Sequence, residues 1–260
     1  MNYNELFTRN IGIISEEDQQ KLKNSCVAIA GVGGVGGSQL INLARAGVGK
    51  FIISDPGIYD APDSNRQYGA KQSTLGENKT IVMNAIVKDI NPYCQTEIYP
   101  EGINTNNIQQ FVKNSDVVID AVEYFSIEEK ISLYETARKC NKFVFSSPIF
   151  AFGTSLLVFD PKGLTFEEYF KLDRNSKKLD SSLFFPVPST YIDKEAYKDT
   201  LNQKRPFPSF STSAALSGAI LATEVVLYLT QKKKTVTIPE ILQVDMVNRQ
   251  FEIIDMSKTN

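Results

Sequence analysis

A glycine-rich segment between an apolar run and an amphipathic run is the part of this sequence with the clearest chemical meaning. Residues 27–30 have the β-branched character of a buried parallel strand, the segment Gly31-Val32-Gly33-Gly34-Val35-Gly36-Gly37 follows, and residues 38–46 have the period of a helix. Glycines let the backbone turn tightly and approach a ligand, and free amides at a helix N-terminus attract an anion. The segment therefore predicts a cradle for nucleotide phosphates, with a ligand-free glycine turn as the alternative.

An acidic residue and two cations follow this segment at spacings that suit a bound nucleotide. Asp55 ends a second predicted strand, 24 residues after Gly31. A carboxylate there typically accepts hydrogen bonds from ribose hydroxyls, and capping of the following turn is the alternative. Arg66 lies in a long polar loop, and Lys79 lies in the first turn of the next predicted helix. A cation at that end opposes the helix dipole, and a nearby phosphate would resolve the conflict.

The two cations indicate which nucleotide the cradle is expected to hold. A Gly-x-Gly-x-x-Gly segment with a later acid fits users of NAD, FAD and ATP alike. Hydride transfer does not need Arg66 and Lys79 within reach of a triphosphate. Nucleotidyl transfer does, because Arg, Lys and Mg²⁺ must neutralise charge on the α-phosphate and the departing pyrophosphate. The pattern therefore favours ATP, and an NAD-dependent oxidoreductase is the alternative function.

Strands and helices alternate over the first 146 residues. Strands are predicted at residues 27–30, 50–55, 94–99, 116–120 and 142–146, and helices at residues 38–46, 76–90, 105–113 and 126–140. This alternation predicts a doubly wound, mostly parallel, Rossmann-like α/β sheet. Ligands of such sheets lie outside the carboxyl ends of the strands, so we expect Asp120 and Glu123 to face the glycine loop and Asp55.

The alternation stops after residue 146. A strand at residues 154–160, a long crossover loop at 161–210 with one or two short helices, an apolar helix at 211–230 and a hairpin at 241–245 and 250–254 are expected. We therefore predict a C-terminal antiparallel extension of the sheet. Residues 1–160 are expected to form the Rossmann-like ATP-binding domain with an N-terminal helical arm, and residues 161–260 to complete the same domain.

Composition restricts the chemistry. The chain has no histidine, and Cys26, Cys94 and Cys140 form no Cys-x-x-Cys pair, which excludes Cys₂His₂ or Cys₄ zinc and any histidine-dependent nucleophile. Isolated cysteines favour a reducing compartment. The net charge of −2 argues against nucleic-acid binding, so tRNA is not the expected partner. No signal peptide and no apolar stretch of about 18 residues is recognised, so a cytoplasmic location without a membrane is expected.

Several segments, taken in order, resemble one known family. They are Gly31-Val32-Gly33-Gly34-Val35-Gly36, Ala46-Gly47-Val48-Gly49 leading into Asp55, Asn65-Arg66-Gln67, Gly76-x-x-Lys79, Ile90-Asn91-Pro92, Asp120-Ala121-Val122-Glu123, and the later Ala215-Leu216-Ser217-Gly218 and Ala222-Thr223-Glu224-Val225. Their order and spacing resemble the adenylating family of ThiF, MoeB and the ubiquitin-activating enzymes over residues 5–150, with a weaker match at 209–255.

The resemblance implies a reaction and a set of site residues. A substrate carboxylate would attack the α-phosphate of ATP to give an acyl-adenylate and pyrophosphate, with no general base required. Nucleotide contacts are implied for Gly31, Gly33, Gly34, Gly36, Asp55, Asp63, Asn65, Arg66, Lys79 and Glu123. Catalytic roles are implied for Arg9, Arg66, Lys79 and Glu123, with Glu123 as the Mg²⁺ ligand. The counterpart of Arg9 enters the ATP site of the other subunit, so a homodimer is expected.

Three departures from the family pattern affect these expectations. Glu123 stands where the family has an aspartate, and its longer side chain changes where the metal would lie. Asp63 stands where relatives have asparagine, so it places a negative charge near the phosphates. The zinc-binding cysteine pairs of many relatives are absent, as is a cysteine in residues 161–210, so neither zinc nor a thioester step is expected.

Alternatives remain open within this resemblance. Changes at Asp63 and Glu123 also fit a nucleotide-binding partner subunit without catalytic activity. Asn65-Arg66-Gln67 resembles the branch that cyclises tRNA threonylcarbamoyladenosine, so a tRNA-borne carboxylate is a runner-up substrate. The carboxylate itself, a protein or peptide C-terminus or a small acid, is expected to depend on residues 161–210. Their Phe-Phe-Pro and Pro-Phe-Pro segments either guide a chain tail or pin the loop to the domain.

Overall fold

A single mixed sheet connects the N-terminal and C-terminal parts of the chain. The computed structural model describes residues 2–175, 179–189 and 191–258. Within them the strands are β1 (Cys26–Ala30), β2 (Lys50–Ser54), β3 (Gln95–Tyr99), β4 (Val117–Asp120), β5 (Val144–Ser146), β6 (Ile149–Phe150), β7 (Gly153–Phe159), β8 (Glu240–Asp245) and β9 (Gln250–Asp255). The strand order is β3-β2-β1-β4-β5-β7-β8-β9, and β6 pairs with β7.

The sheet is parallel from β3 to β5 and antiparallel from β5 to β9. The predicted doubly wound, mostly parallel α/β fold with an antiparallel C-terminal extension is therefore confirmed. The strand order reverses between β1 and β4. From β1 the chain adds β2 and β3 on one side, and it then returns to add β4 and β5 on the other side. A crevice at such a point is the usual ligand site of an open α/β sheet.

Helices precede β1 and connect several of the strands. In the described residues they are α1 (Tyr3–Leu6), α2 (Glu16–Asn24), α3 (Gly34–Ala46), α4 (Lys79–Ile90), α5 (Ile108–Lys113), α6 (Ile127–Lys139), α7 (Phe166–Tyr169), α8 (Lys194–Leu201) and α9 (Ser211–Leu229), with 3₁₀ turns at Thr8–Asn10, Ala61–Asn65 and Ser181–Phe184. The short helices α7 and α8 lie in the predicted crossover loop.

Two apolar cores form because successive strand residues face opposite sides of the sheet. On one side Val27 and Ile29 of β1 pack with residues of α3, α4 and α9. On the other side Ala28 and Ala30 pack with residues of α5 and α6. The loops at the carboxyl ends of the strands are thus held from both faces.

Several boundaries differ from the sequence prediction. Helix α3 begins at Gly34, inside the glycine run, and not at residue 38. The prediction was wrong there because the glycines were assigned wholly to a loop. Helix α4 begins at Lys79 and not at residue 76, because the Asn78 side chain accepts from the Thr80 amide at 2.9 Å and caps the helix. Helix α5 begins at Ile108, three residues after the predicted start.

Helix α9 corrects one expectation about apolar length. By length and composition it could cross a membrane, with a mean hydropathy of 1.5, so the statement that no stretch is long and apolar enough was wrong. Its buried face includes Leu221 and Val225 and packs against α3 and β7. Gly218 lies against Ser38 of α3, and a Cβ at Gly218 would stand 2.0 Å from Ser38 Oγ. The contact of the two helices depends on that missing side chain.

Candidate active site

A cavity of about 710 Å³ opens at the carboxyl ends of β1, β2 and β4. Its wall includes most of the site residues suggested by the sequence: Gly31, Gly33, Gly34, Asp55, Asp63, Arg66, Lys79 and Glu123. The strand order brings these distant segments together, because β1 lies between β2 and β4. The size is ordinary for a pocket that takes a small molecule or a nucleotide.

The glycine loop is tightly packed and cannot carry side chains at two of its positions. Gly31 has a φ of +92°, and a Cβ there would stand 2.3 Å from the Ala121 carbonyl oxygen. A Cβ on Gly36 would stand 1.9 Å from the Gly31 carbonyl oxygen. Gly36 is buried under the loop and belongs to α3, so its contribution is close packing of α3 against the loop. The first turn of α3 thereby directs its free amides towards the cavity.

Asp55 holds the loop and retains capacity for a ligand. Its Oδ2 accepts from the Val32 amide at 2.9 Å, and its Oδ1 accepts from the Gly57 amide at 2.8 Å. Both interpretations of this carboxylate therefore have a basis, since it caps the next turn and also lines the cavity. Each carboxylate oxygen can accept a second hydrogen bond, which a ribose hydroxyl could donate.

Asp63 is the counter-ion of both cations. Its Oδ2 lies 3.1 Å from Lys79 Nζ, its Oδ1 lies 3.5 Å from Arg66 Nη2, and Gln67 Nε2 donates to Oδ1. Lys79 also lies 5.6 Å above the Tyr59 ring. The Asp63 carboxylate thus faces the cations, so a nucleotide's phosphates would compete with it for Lys79 and Arg66.

Arg66 and Gln67 lie over the glycine loop. An added Cβ on Gly34 would meet Arg66 Cγ at 3.4 Å, and one on Gly33 would meet Gln67 Oε1 at 3.3 Å. Gln67 is 6% exposed, and its Oε1 has no hydrogen-bond partner. A buried acceptor without a donor is costly, so a donor from a ligand would stabilise this side chain.

Asp120 belongs to a buried network in the wall of the cavity. Lys130 Nζ lies 2.9 Å from both of its carboxylate oxygens, and the Tyr134 hydroxyl donates to Oδ2 at 3.0 Å. Burial raises the pKa of Tyr134, and the Asp120 charge raises it further. Asp120 is therefore committed to protein partners, and of the two acids at the carboxyl end of β4 the exposed Glu123 is the one free to face a ligand.

The exposed Glu123 is the candidate protein ligand for a metal ion in this cavity. No group of three or more His, Cys, Asp or Glu side chains that could hold a metal was found among the described residues. Mg²⁺ usually keeps several waters and takes one or two carboxylates together with substrate phosphates. The donor set therefore fits a magnesium ion delivered on a nucleotide, with Glu123 as the protein carboxylate.

Besides the buried Gly36, two sequence-derived residues lie outside the cavity wall. Arg9 is exposed in the 3₁₀ turn Thr8–Asn10, and no ion pair of its guanidinium is found in the described part of the chain. Asn65 donates from Nδ2 to the Ser209 carbonyl at 2.9 Å and accepts from Arg66 Nη1 at 2.9 Å. Asn65 thus joins the end of the crossover loop to Arg66.

Sequence reasoning missed one charged residue and three rings of an aromatic wall, those of Tyr124, Phe150 and Tyr197. The other three rings, Phe184, Phe185 and Phe207, belong to the Phe-Phe-Pro and Pro-Phe-Pro segments that the sequence had singled out. Lys130 is buried on α6 with Ile127 and Tyr134, at helical spacings of three and four. A lysine on the buried face of a helix, ten residues after Asp120, could have indicated a buried ion pair between the two. Only the fold brings together the rings of the aromatic wall, which come from separate segments of the chain. They are Tyr124, Phe150, Phe184, Phe185, Tyr197 and Phe207.

Comparisons with known proteins agree with this architecture. A family model described as the ThiF family matches residues 7–260. The chain is 40% identical over 116 residues to a tRNA threonylcarbamoyladenosine dehydratase of Bacillus subtilis, covering 44% of this chain and 46% of that protein. It is 35% identical over 118 residues to an adenylyltransferase and sulfurtransferase UBA4 of Candida albicans, covering 45% of this chain and 27% of that protein. The matches thus span less than half the length of these curated relatives.

A solved structure resembles the whole chain in fold. The structure of E. coli MccB with AMPCPP and MccA superposes with a TM-score of 0.71 at 17% identity, and the match covers 98% of this chain and 73% of that one. At that identity the likeness shows the shared fold alone. It extends through the crossover loop, α9 and the C-terminal hairpin.

Proposed function

Because the chain belongs to the ThiF family, we propose that it is an ATP-dependent adenylyltransferase that activates a carboxylate and releases pyrophosphate. The observation that carries the proposal is the position of Arg66 and Lys79, which reach one carboxylate, Asp63, beside the glycine loop. Two cations at the free amides of a helix N-terminus suit the phosphates of ATP. The AMPCPP in the MccB structure supports the same nucleotide class.

In the proposed reaction, the substrate carboxylate attacks the α-phosphate and pyrophosphate leaves. An ionised carboxylate is already nucleophilic, so the absence of histidine is no obstacle. Asp55 accepts from the ribose, the loop amides bind phosphate, and Arg66 and Lys79 neutralise charge that grows on the leaving group. Mg²⁺ would add charge neutralisation, and Glu123 would supply its protein oxygen. The related adenylyltransferase UBA4 supports this reaction class.

Carboxylate-dependent exchange of labelled pyrophosphate into ATP tests the reaction. Lys79→Ala should reduce exchange at least 100-fold, because one cation at the transferred charge is typically worth that much. Lys71→Ala is the matched control, since Lys71 is an exposed lysine in the preceding loop and does not line the cavity. Exchange that survives Lys79→Ala at the control rate would contradict the proposal. Bound NAD without an ATP-induced rise in melting temperature would favour an oxidoreductase.

A nucleotide-binding subunit without turnover is the second candidate, because Asp63 occupies the cations. Tight binding of Mg·ATP without exchange on any acid would favour it. A tRNA-borne carboxylate is favoured by one observation, the relative named as a tRNA threonylcarbamoyladenosine dehydratase. A gel shift with tRNA distinguishes this substrate: complete loss of the complex at 50–100 mM salt, roughly the range where weak non-specific binding fails, would remove it.

The active unit is proposed to be a cytoplasmic homodimer. Arg9 is exposed and lies away from the cavity of its own chain, which fits a role in a neighbouring subunit's site. Light scattering that finds a fully active monomer would contradict this proposal.

A further inference from the structure

The cavity wall changes in character along the edge of the sheet. The glycine loop, Arg66 and Lys79 lie at the ends of β1 and β2. On the side of β4, β5 and β6 the wall is aromatic. Its six rings are those of Tyr124, Phe150, Phe184, Phe185, Tyr197 and Phe207, and three of its elements, the 3₁₀ turn at Ser181–Phe184, α8 and the segment before α9, belong to the crossover loop.

The aromatic rings form two groups that face one cavity. Phe150 stacks on Phe185 with ring centroids 5.2 Å apart, and Tyr197 packs edge-on against Phe150 at 5.1 Å. In the other group Tyr124 lies 5.0 Å from Phe207. All five of these rings are only half-buried, so apolar surface remains open to the cavity. Covering that surface with an apolar ligand is favourable, and ring-on-ring packing adds to it.

Charges on this side of the cavity oppose an acidic ligand. Lys130 is 5% exposed and both oxygens of Asp120 hold it, so it is not available to a second carboxylate. Glu129 is exposed and lines the same wall. Among the described residues of the cavity wall, the cations that remain are Arg66 and Lys79, at the phosphate end. A ligand group beyond the reacting carboxylate therefore meets rings and negative charge.

From this wall we infer that the carboxylate substrate is carried on an apolar, ring-bearing group. The inference rests on the proposed adenylation, since it assigns the substrate class of that same site. The reacting carboxylate would lie at the phosphate end, and its ring would lie against Phe150 and Tyr197. A free aromatic carboxylic acid and a chain ending in an aromatic residue share this chemistry.

Matched pairs of acids test the substrate class. In pyrophosphate exchange with wild-type protein, 3-phenylpropanoate is compared with glutarate, and Gly-Gly-Phe with Gly-Gly-Glu. The ring-bearing member should have a KM at least about tenfold lower, because burial of a phenyl group is worth that much or more. A lower KM for 3-phenylpropanoate than for glutarate indicates a free aromatic acid as the substrate. A lower KM for Gly-Gly-Phe than for Gly-Gly-Glu indicates a chain that ends in an aromatic residue. Equal KM values in both pairs, or a preference for the acidic members, would overturn the inference.

Two tyrosines of the crossover loop supply a matched control. Tyr197 packs on Phe150 in the cavity wall, whereas Tyr191 stacks on Phe152 at 6.1 Å and does not line the cavity. Tyr197→Leu should raise the KM of the preferred acid about tenfold and leave the KM of ATP within about twofold. Tyr191→Leu should change neither value, and Tyr197→Phe should restore the wild-type KM because it keeps the ring. An unchanged KM in Tyr197→Leu would contradict the assignment.

A binding measurement separates this inference from the reaction itself. If no acid supports exchange, the adenylation proposal fails, and equilibrium dialysis of 3-phenylpropanoate with a methylene analogue of ATP present decides the inference. Saturable binding that Tyr197→Leu weakens about tenfold, with Tyr191→Leu unchanged, would still support an aromatic acid site. Absence of binding to the wild-type protein would overturn it.

Discussion

At the scale of single residues, Asp63 has the largest consequence for the proposed chemistry. It is 7% exposed, and it pairs with Lys79 at 3.1 Å and with Arg66 at 3.5 Å. This carboxylate holds both cations in place, and it also neutralises positive charge that would otherwise attract the phosphates of a nucleotide. The sign of its effect on ATP affinity distinguishes a carboxylate that positions the two cations from one that competes with the phosphates.

Asp63→Asn should strengthen ATP binding about fivefold, because removal of a negative charge beside the phosphates is worth roughly 1 kcal/mol. The same change should lower the free energy of unfolding, since Lys79 loses its ion pair. Isothermal titration and urea unfolding measure the two effects. Asp60→Asn is the control, because Asp60 is exposed, precedes the same 3₁₀ turn and does not line the cavity. Weaker ATP binding in Asp63→Asn would indicate that the carboxylate positions the cations.

At the scale of elements, the contact between the glycine loop and α3 positions the glycine-loop end of the cavity. Gly36 lies against the Gly31 carbonyl, and Gly31 lies against the Ala121 carbonyl that follows β4. The loop is therefore packed between α3 and the β4 loop. Displacement of either element would move the amides that face the cavity.

Gly36→Ala should reduce the free energy of unfolding by about 3 kcal/mol or more, because its Cβ would overlap the Gly31 carbonyl and α3 would have to move. Gly34→Ala is the matched control two residues earlier, where a Cβ meets Arg66 Cγ at an ordinary 3.4 Å. Its stability should stay within about 1 kcal/mol of wild type. Equal urea unfolding curves for the two variants would contradict this account of the loop.

A second contact between elements predicts a pH dependence. Lys232, just after α9, lies 2.9 Å from Asp18 Oδ2 in α2. That lysine, followed by the Ser15 hydroxyl, holds the pKa of Asp18 well below its ordinary value. A depressed carboxyl pKa contributes stability above the unfolded pKa of about 3.9, and this contribution is lost as the pH falls through the folded pKa.

Lys232→Gln should therefore be less stable than wild type at pH 6, and the difference should shrink as the pH falls below about 4. Thermal unfolding between these pH values measures it. Lys233→Gln is the control, because Lys233 is the neighbouring exposed lysine. A difference that stays constant with pH would show that the Asp18 pair does not carry the effect.

At the scale of the whole molecule, the sheet separates two regions of the proposed site. Parallel strands β1 and β2 supply the end with the glycine loop, whereas β4, β6 and the crossover loop supply the aromatic wall. The segments at Asn65 and Ser209, joined by a hydrogen bond of 2.9 Å, connect these regions. Arg9 lies outside both, so its proposed role needs a second copy of the chain.

Complementation between variants tests that role. Arg9→Ala and Lys79→Ala should each be inactive in exchange, and their mixture should regain about a quarter of wild-type activity after subunit exchange. Half of the dimers would then be mixed, and one of their two sites would have an intact Lys79 and receive an intact Arg9. Activity of Arg9→Ala alone, or no recovery in a mixture shown by light scattering to be dimeric, would contradict a shared site.

The sequence by itself determined the order of elements and most of the residues that line the glycine-loop end of the cavity. Local patterns carry that information: β-branched runs, the glycine segment, and an acid or a cation at a strand or helix end. The start of α3 was misplaced because glycine signals a loop locally, although this glycine run enters the helix at Gly34 and packs through Gly36 against the Gly31 carbonyl. Local propensity loses to tertiary contact at that position.

Only the tertiary structure decided which charges are free and what forms the other end of the cavity. Asp120 is paired with Lys130, and Asp63 reaches Lys79 across 16 residues of chain. The aromatic wall joins Tyr124 to Phe207, segments that lie far apart in sequence. Such pairings depend on strand order and on the path of the crossover loop, and no local period in the sequence encodes either.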